Sequence, residues 1–466
     1  MGLTDEAEVL IVGAGAAGLA AAHELSAAGL RVLVVEARAR LGGRVYTRRI
    51  ADFNYPVELG AEFVHGRAPE IFAIAEAAGL ALCDASERHW YVRAGCVERS
   101  DEFWRKLEGV MAAMKRAGEP DRSLQEFLAS YEQGAETEEA RALARMYVQG
   151  FHAARPERVG VQGLNRANEA EDEIDGDSSF RVLDGYERLL GWLYAEASAR
   201  GARVQLETVV EEIRWQRGRV ELTARTGDVR QTYTAARALM TLPLGVLQAA
   251  AGAAGAVRFV PALPEKERAV AALAMGQVVR VVCRFRQRFW ERLSLPSADG
   301  RVDLAELGFV HAQGQTVPTW WTQLPVRVPL LVGWAGGPAA EELSAQGAQA
   351  VRAQALASLA NVLGVPRARL EELLVEVYAH DWQADPFARG AYSYVPVGGL
   401  AAQASLAAPV ADTLFFAGEA TNTDGHVGTV HGALATGQRA AREVLASLPA
   451  ARGDAAAGKT FTRIGE

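Results

Sequence analysis

An α/β fold built on a parallel sheet is predicted by three features of the chain. They are a strand–glycine–helix–strand unit at the start, a glycine-bearing strand-to-helix junction near the end, and strand periodicity between them. The first unit reads Val9-Leu10-Ile11-Val12, then Gly13-Ala14-Gly15-Ala16-Ala17-Gly18, then Arg31-Val32-Leu33-Val34-Val35-Glu36. The short apolar run suits a strand buried on both faces. Gly13 and Gly15 permit a tight turn and close backbone approach to a pyrophosphate, and Gly18 lets the helix pack on the strand. The helix N-terminus offers free N–H groups and a positive dipole end to phosphates. Glu36 ends the second strand, roughly 20 residues past the glycines, where a carboxylate accepts hydrogen bonds from ribose hydroxyls. The unit is therefore Rossmann-like and reads as a dinucleotide site.

Glycines alone do not choose the dinucleotide; the flanking segments do. Arg38 and Leu41-Gly42-Gly43-Arg44 follow the ribose acid directly. Gly42 and Gly43 permit a second close backbone approach, and Arg44 can reach the phosphates. Far along the chain, Leu414-Phe415-Phe416-Ala417-Gly418-Glu419 reads as a strand entering a turn with an acid. Gly428-Thr429-Val430-His431-Gly432-Ala433 then opens another helix. Such a helix start can face a flavin pyrimidine ring and stabilise negative charge on it. Nicotinamide enzymes have no need of that element, so FAD is the expected cofactor.

The remaining elements follow from periodicity. Residues 100–117 form an amphipathic helix with Phe103, Leu107, Val110, Met111 and Met114 on one face. Residues 120–200 read as largely helical, interrupted by an acidic loop from Asn168 to Asp177. That loop reads as solvated surface; its functional alternative is a rim that attracts polyamines. From Val204 to Leu242 the period becomes that of strands, including Val209-Val210-Glu211-Glu212-Ile213, Arg219 to Leu222 and Ala238 to Thr241. Residues 238–257 carry no charge but are broken by Pro243 and glycines, so strand, turn and short helix fit better than a membrane span. Val278 to Phe285 and Leu330 to Trp334 read as strands, and a helix is expected over about 340–363.

Composition bounds the function. The chain has 466 residues, net charge −8 and three scattered cysteines, Cys83, Cys96 and Cys283. The negative balance gives no general affinity for nucleic acid or anionic membranes and a mild preference for cations. No zinc pattern and no disulfide framework is legible, so no metal is expected and a reducing cytoplasm fits. The acidic N-terminus does not read as a signal peptide, and the tail, 451–466, reads as flexible and without an anchor.

These motifs together resemble the FAD-dependent amine oxidase family, which includes monoamine oxidases, polyamine oxidases and flavin-dependent histone lysine demethylases. The matching segments are Val9 to Thr47, Glu58 to Gly66, Thr241 to Leu247, Trp382-Gln383-Ala384-Asp385-Pro386 through Tyr394, and Phe415 to Val444. They frame nearly the whole chain. The resemblance implies a discontinuous FAD-binding domain (1–85, 200–262 and 385–450) and a discontinuous α+β substrate-binding cap (86–199 and 263–384). It implies FAD contacts from Gly13, Gly15, Gly18, Glu36, Arg38, Gly42, Gly43, Arg44, Gly60, Ala61, Glu62, Val209, Trp382, Gly418, Glu419, Thr429, Val430 and Ala433. Ala391 stands where covalently flavinylated members carry cysteine, so non-covalent FAD is expected.

For chemistry, the resemblance places Tyr392 beside the flavin as a substrate-facing aromatic. Thr429 stands where monoamine oxidases carry a second caging tyrosine, which opens the cage as in polyamine oxidases and demethylases. His65 stands where animal polyamine oxidases hold a histidine near the substrate amine. His431 reads as structural, and Trp320 and Trp321 as either pocket or core. Arg280 replaces the lysine that relatives use to hold a water against flavin N5. Arginine would either bond the flavin itself or turn away to a carboxylate. The expected function is oxidation of a small amine or polyamine by hydride transfer to the flavin, with O2 as acceptor. Two alternatives are a desaturase or dehydrogenase on a non-amine and a non-catalytic flavin-binding scaffold. The chain would act as a monomer or homodimer.

Overall fold

A computed structural model describes residues 7–86, 88–93, 95–98, 100–131 and 137–449. Its centre is a five-stranded, all-parallel sheet ordered Arg203–Gln205, Val32–Val35, Val9–Val12, Arg237–Met240, Leu414–Phe416. Alternation along these strands sorts their side chains to two faces. Val9, Ile11, Val32, Val34, Leu239 and Phe415 pack with the helices Ala16–Ala27, Glu187–Ala199 and Val430–Ala446. Leu10, Val12, Val35, Ala238, Met240 and Phe416 pack on a four-stranded sheet made by Thr208–Gln216, Arg219–Thr226, Val229–Ala235 and Arg258–Val260. Burial on both faces is why the first strand is uniformly apolar. The first helix is alanine-rich because the helix Val430–Ala446 crosses it closely: a Cβ on Gly437 would collide with the Ala17 carbonyl.

A second, nine-stranded mixed sheet carries the cap. Val278–Phe285 lies between Leu330–Gly336 and Leu374–Ala379, antiparallel to both. Val279, Val281, Cys283 and Phe285 face the helix Ala348–Leu363, while Arg280 and Val282 face the segment Val57–Glu62. This register aims Arg280 at the dinucleotide domain.

Several expectations need correction. The stretch 120–200 is not helical throughout: Ser179–Val182 is a strand between Phe63–His65 and Leu82–Asp84. It and the helix Glu187–Ala199 pack against the dinucleotide unit, within the range 86–199 expected for the cap. The acidic run is only partly a loop, since its first half ends the helix Val161–Asp172. The helix expected over 340–363 is two, Pro338–Ser344 and Ala348–Leu363, because Gly347 takes a left-handed φ of 84°. In the helix Ser100–Lys115, Leu107, Val110 and Met114 are buried as expected; the side chain of Phe103 and the tail 451–466 lie outside the described residues. No helix among the described residues is long and apolar enough to cross a membrane.

Candidate active site

A cavity of about 920 Å³ runs from the C-terminal ends of the parallel strands to the underside of the cap. Its first arm is a bare backbone cradle. A Cβ on Gly15, Gly43 or Gly418 would meet nothing closer than 3.4 Å, so these glycines leave open space rather than fill a packed turn. Gly18 differs: its Cβ would collide with the Gly13 carbonyl, the helix-on-strand contact expected of it. The helix Ala16–Ala27 starts here with no side-chain cap, leaving its N–H groups for an anion. Glu36 is buried in the same wall and accepts hydrogen bonds from the backbone N–H of Ala14 (2.7 Å) and Arg38 (2.8 Å). One backbone donor per oxygen leaves a lone pair on each for a ribose hydroxyl. Val209, Gly42, Gly60, Ala61, Val430 and Ala433 also line the cavity. Bare glycines, a free helix start and a buried acid fit a dinucleotide.

The two arginines expected in this arm are already engaged. Arg38 Nη2 donates to Asp385 (2.8 Å), which also meets His380 Nε2 at 2.8 Å. Arg44 Nη1 donates to Glu419 Oε1 (2.7 Å) and the Ala391 carbonyl (2.9 Å). The other oxygen of Glu419 accepts from Ser393 Oγ (2.6 Å) and the Gly428 N–H (3.1 Å). These ion pairs pull the segments 38–44, 385–393 and 418–428 around one cradle. The carboxylate of Glu419 thereby ties these segments together, and the residue lines the cavity beside Gly418.

The second arm is aromatic. Tyr392 stands on a two-stranded ladder with Ala274–Gly276, and its hydroxyl donates to the Phe151 carbonyl (2.7 Å). Burial pushes its phenol well above the usual range, so it stays neutral. Trp382 is buried and donates to the Leu59 carbonyl (2.9 Å), which fixes its ring beside Gly60. Trp320 fills the cap core, whereas Trp321 lines the cavity. Tyr147 stacks on Phe151 with centroids 5.3 Å apart. His65 packs against Phe63 and Phe151, and burial pulls its imidazole down to about 4. His431 is buried with Nε2 unpartnered, pulled down to about 3 first by burial, then by His426 and His65. Its reading as merely structural leaves that nitrogen unexplained.

Two residues expected to be catalytic are otherwise occupied. Thr429 is the N-cap of the helix Val430–Ala446: Oγ1 accepts from the Gly432 N–H (2.9 Å) and donates to the His426 carbonyl (2.8 Å). Its hydroxyl is committed to the helix start. Arg280 turns to a carboxylate, the second of the two arrangements its chemistry allowed. Nη2 donates to Glu62, and Nε donates to the Glu58 carbonyl (2.8 Å). Glu62 in turn accepts from Arg181 Nε (2.7 Å) and Trp321 Nε1 (3.2 Å). Its carboxylate is bonded to these protein partners, while the residue itself lines the cavity. Burial alone would raise Glu62, but Arg280 and Arg181 outweigh it and hold the carboxyl at about 2.

Sequence reading missed Arg181, which belongs to no motif, and gave Glu171 only as part of an acidic rim. Glu171 lines the cavity, and burial, then Asp177 and Asp172, push it up to about 7.

Comparison with known proteins fixes the family. The model of the flavin containing amine oxidoreductase family matches residues 16–445. The chain belongs to that family. Among curated relatives, this flavin amine oxidoreductase is 28% identical over 463 residues to lysine-specific histone demethylase 1 homolog 2 of Oryza sativa subsp. japonica. That match covers 94% of this chain but 57% of the relative's length. Polyamine oxidase 3 of the same organism is 27% identical, with 93% of this chain and 88% of the relative covered. Among solved structures, putrescine oxidase bound to putrescine matches with a TM-score of 0.76 and 22% identity, covering 95% of this chain and 99% of that one. Cyclohexylamine oxidase from Brevibacterium oxydans IH-35A matches with a TM-score of 0.76 and 23% identity, covering 94% and 98%. These two likenesses show the fold: helices on a Rossmann-like sheet joined to a second sheet domain.

Proposed function

We propose that this flavin amine oxidoreductase binds FAD non-covalently and oxidises a small amine or polyamine to an imine and then an aldehyde, with release of hydrogen peroxide. The observation that carries the reading is the continuity of one cavity from the bare-glycine cradle to an arm of aromatic rings and neutral imidazoles. Bound FAD would supply the hydride acceptor at N5 and pass the electrons to O2. The chain's own residues would do the rest. Gly13, Gly15, Gly43, Glu36, Val209, Gly418, Val430 and Ala433 would hold the cofactor. Tyr392 and Phe151 would present ring faces to the amine, an arrangement that also suits its cationic form. His65 lines the same cavity and burial keeps its imidazole neutral, so it would accept a hydrogen bond from the amine and add no positive charge that repels it. Glu171, across the same cavity, supports a substrate carrying a second ammonium group.

One observation favours a second reading. Arg280 is tied to Glu62 where relatives use lysine and a water, which supports a dehydrogenase with weak oxygen reactivity. Anaerobic titration with monoamines, diamines, polyamines and amino acids tests both. Flavin bleaching by amines followed by stoichiometric peroxide on admission of air is expected. Bleaching without peroxide would select the dehydrogenase, and bleaching by none of the amines would reject amine oxidation.

A further inference from the structure

The wall between the two arms holds charges that the proposed reaction does not use. Arg181, from the strand Ser179–Val182, and Arg280, from Val278–Phe285, both bond Glu62. The exposure of the three side chains is 4%, 4% and 2%. Arg181 is fixed further by the carbonyls of Leu324 (2.9 Å) and Thr322 (3.2 Å). Trp321 supplies another donor to Glu62. Arg181 lies over the ring of Phe63 at 4.5 Å and Arg280 over Trp321 at 5.3 Å, and both rings line the cavity. Guanidinium groups keep their charge in proteins. Two cations on one anion leave an excess positive charge sealed from water. The adjoining carboxyl, Glu58, does not cancel it fully: burial pushes it up to about 7. Below about pH 7 Glu58 keeps its proton, and two guanidinium groups then face the single carboxylate of Glu62.

A flavin ring is neutral when oxidised and anionic after taking up two electrons and one proton. A fixed cation in a low-dielectric wall favours the anionic form. We propose that Arg181, Glu62 and Arg280 act as one cationic unit that raises the electron affinity of the bound flavin, with Arg181 as the positioning residue. Its guanidinium, held by the Leu324 and Thr322 carbonyls, anchors Glu62, and Glu62 anchors Arg280. The unit does the electrostatic work through its net charge and not through a hydrogen bond from one particular arginine. The proposal rests on the flavin reading above.

The test is a charge series in the FAD-loaded protein. Two readouts are used: the two-electron midpoint potential, and the dissociation constant of sulfite, an anion that bleaches oxidised flavin. Glu62→Gln adds one positive charge and is expected to tighten sulfite at least about tenfold. Arg280→Met removes one and is expected to weaken it by a similar factor. A tenfold change corresponds to about 30 mV for a two-electron couple. The decisive variant is the double substitution Arg280→Met/Glu62→Gln, which restores the wild-type charge without the wild-type contacts. It is expected to return both readouts to near the parent values. Arg181→Met is expected to move them in the direction of Arg280→Met, with Arg181→Lys restoring most of the change. Readouts indifferent to charge, or a double variant that stays shifted like Arg280→Met, would overturn the proposal while leaving FAD binding intact. Protein that acquires no flavin would overturn the flavin reading itself, and the proposal with it.

Discussion

Glu36 and Glu171 are both acids lining one cavity, yet their surroundings treat the charge in opposite ways. Glu36 accepts two backbone N–H groups and is held in place before any ligand arrives. Under the proposed FAD reading, Glu36→Ala would take away a charge-assisted bond to ribose, and such bonds contribute about 1.5–3 kcal/mol. FAD affinity is expected to fall by roughly ten- to a hundredfold, measured by titrating apoprotein with FAD. An unchanged affinity would remove Glu36 from the ribose site. Glu171 is buried near Asp177 and Asp172, so its carboxyl loses its proton only as pH rises through about 7. Under the proposed diamine or polyamine reading, its pull on a second ammonium would strengthen across that window. The variant Glu171→Gln is expected to raise KM for a diamine about tenfold above pH 8 and leave KM for a monoamine unchanged. Equal effects on both substrates would place Glu171 outside substrate recognition.

At the scale of elements, legibility depended on whether an element's partner is local. The strand Val9–Val12 and the helix after it were readable because glycine, apolar run and helix start are contiguous. The strand Ser179–Val182 was not: four residues including a buried arginine become a strand only because Phe63–His65 and Leu82–Asp84 flank them. The break at Gly347 could have been found from the glycine; an apolar pattern on both sides masked it. The start of the helix Val430–Ala446 was legible in position but not in the task of its first residue. Thr429 satisfies an orphan N–H at that start. Thr429→Ala is expected to lower unfolding free energy by about 1 kcal/mol. Thr429→Ser should retain it, with both compared by denaturant melts of the apoprotein.

At the scale of the molecule, pH and cofactor should govern stability together. Burial raises Glu58 from its ordinary range to about 7. A raised acid prefers to stay protonated when folded, so ionising it costs stability progressively as pH rises from about 4.5 to about 7. The ceiling on this loss is roughly 3 kcal/mol. Glu58→Gln, which cannot ionise, should unfold at a higher temperature than the parent at pH 8 and show no advantage at pH 4.5. An advantage that is the same at both pH values would locate the effect in packing. On the proposed reading FAD would bind the native state alone, so saturation at a hundred times Kd should add about 2.7 kcal/mol. A melt insensitive to added FAD would contradict the cradle.

The sequence by itself determined the dinucleotide unit, its closing strand and helix, and the family, because glycine placement and strand burial are written in consecutive residues. It also marked Arg280 as a departure and allowed that it would turn to a carboxylate. Only the tertiary structure decided which carboxylate. Glu62, Arg181 and Arg280 come from three separate segments, and no spacing relates them. The tertiary structure likewise decided that Arg44 holds Glu419 across 375 residues and that Trp321 lines the cavity while Trp320 fills the core. Charge pairing and burial are properties of what surrounds a side chain, and in a chain whose central sheet is assembled from four distant stretches, those surroundings exist only after folding.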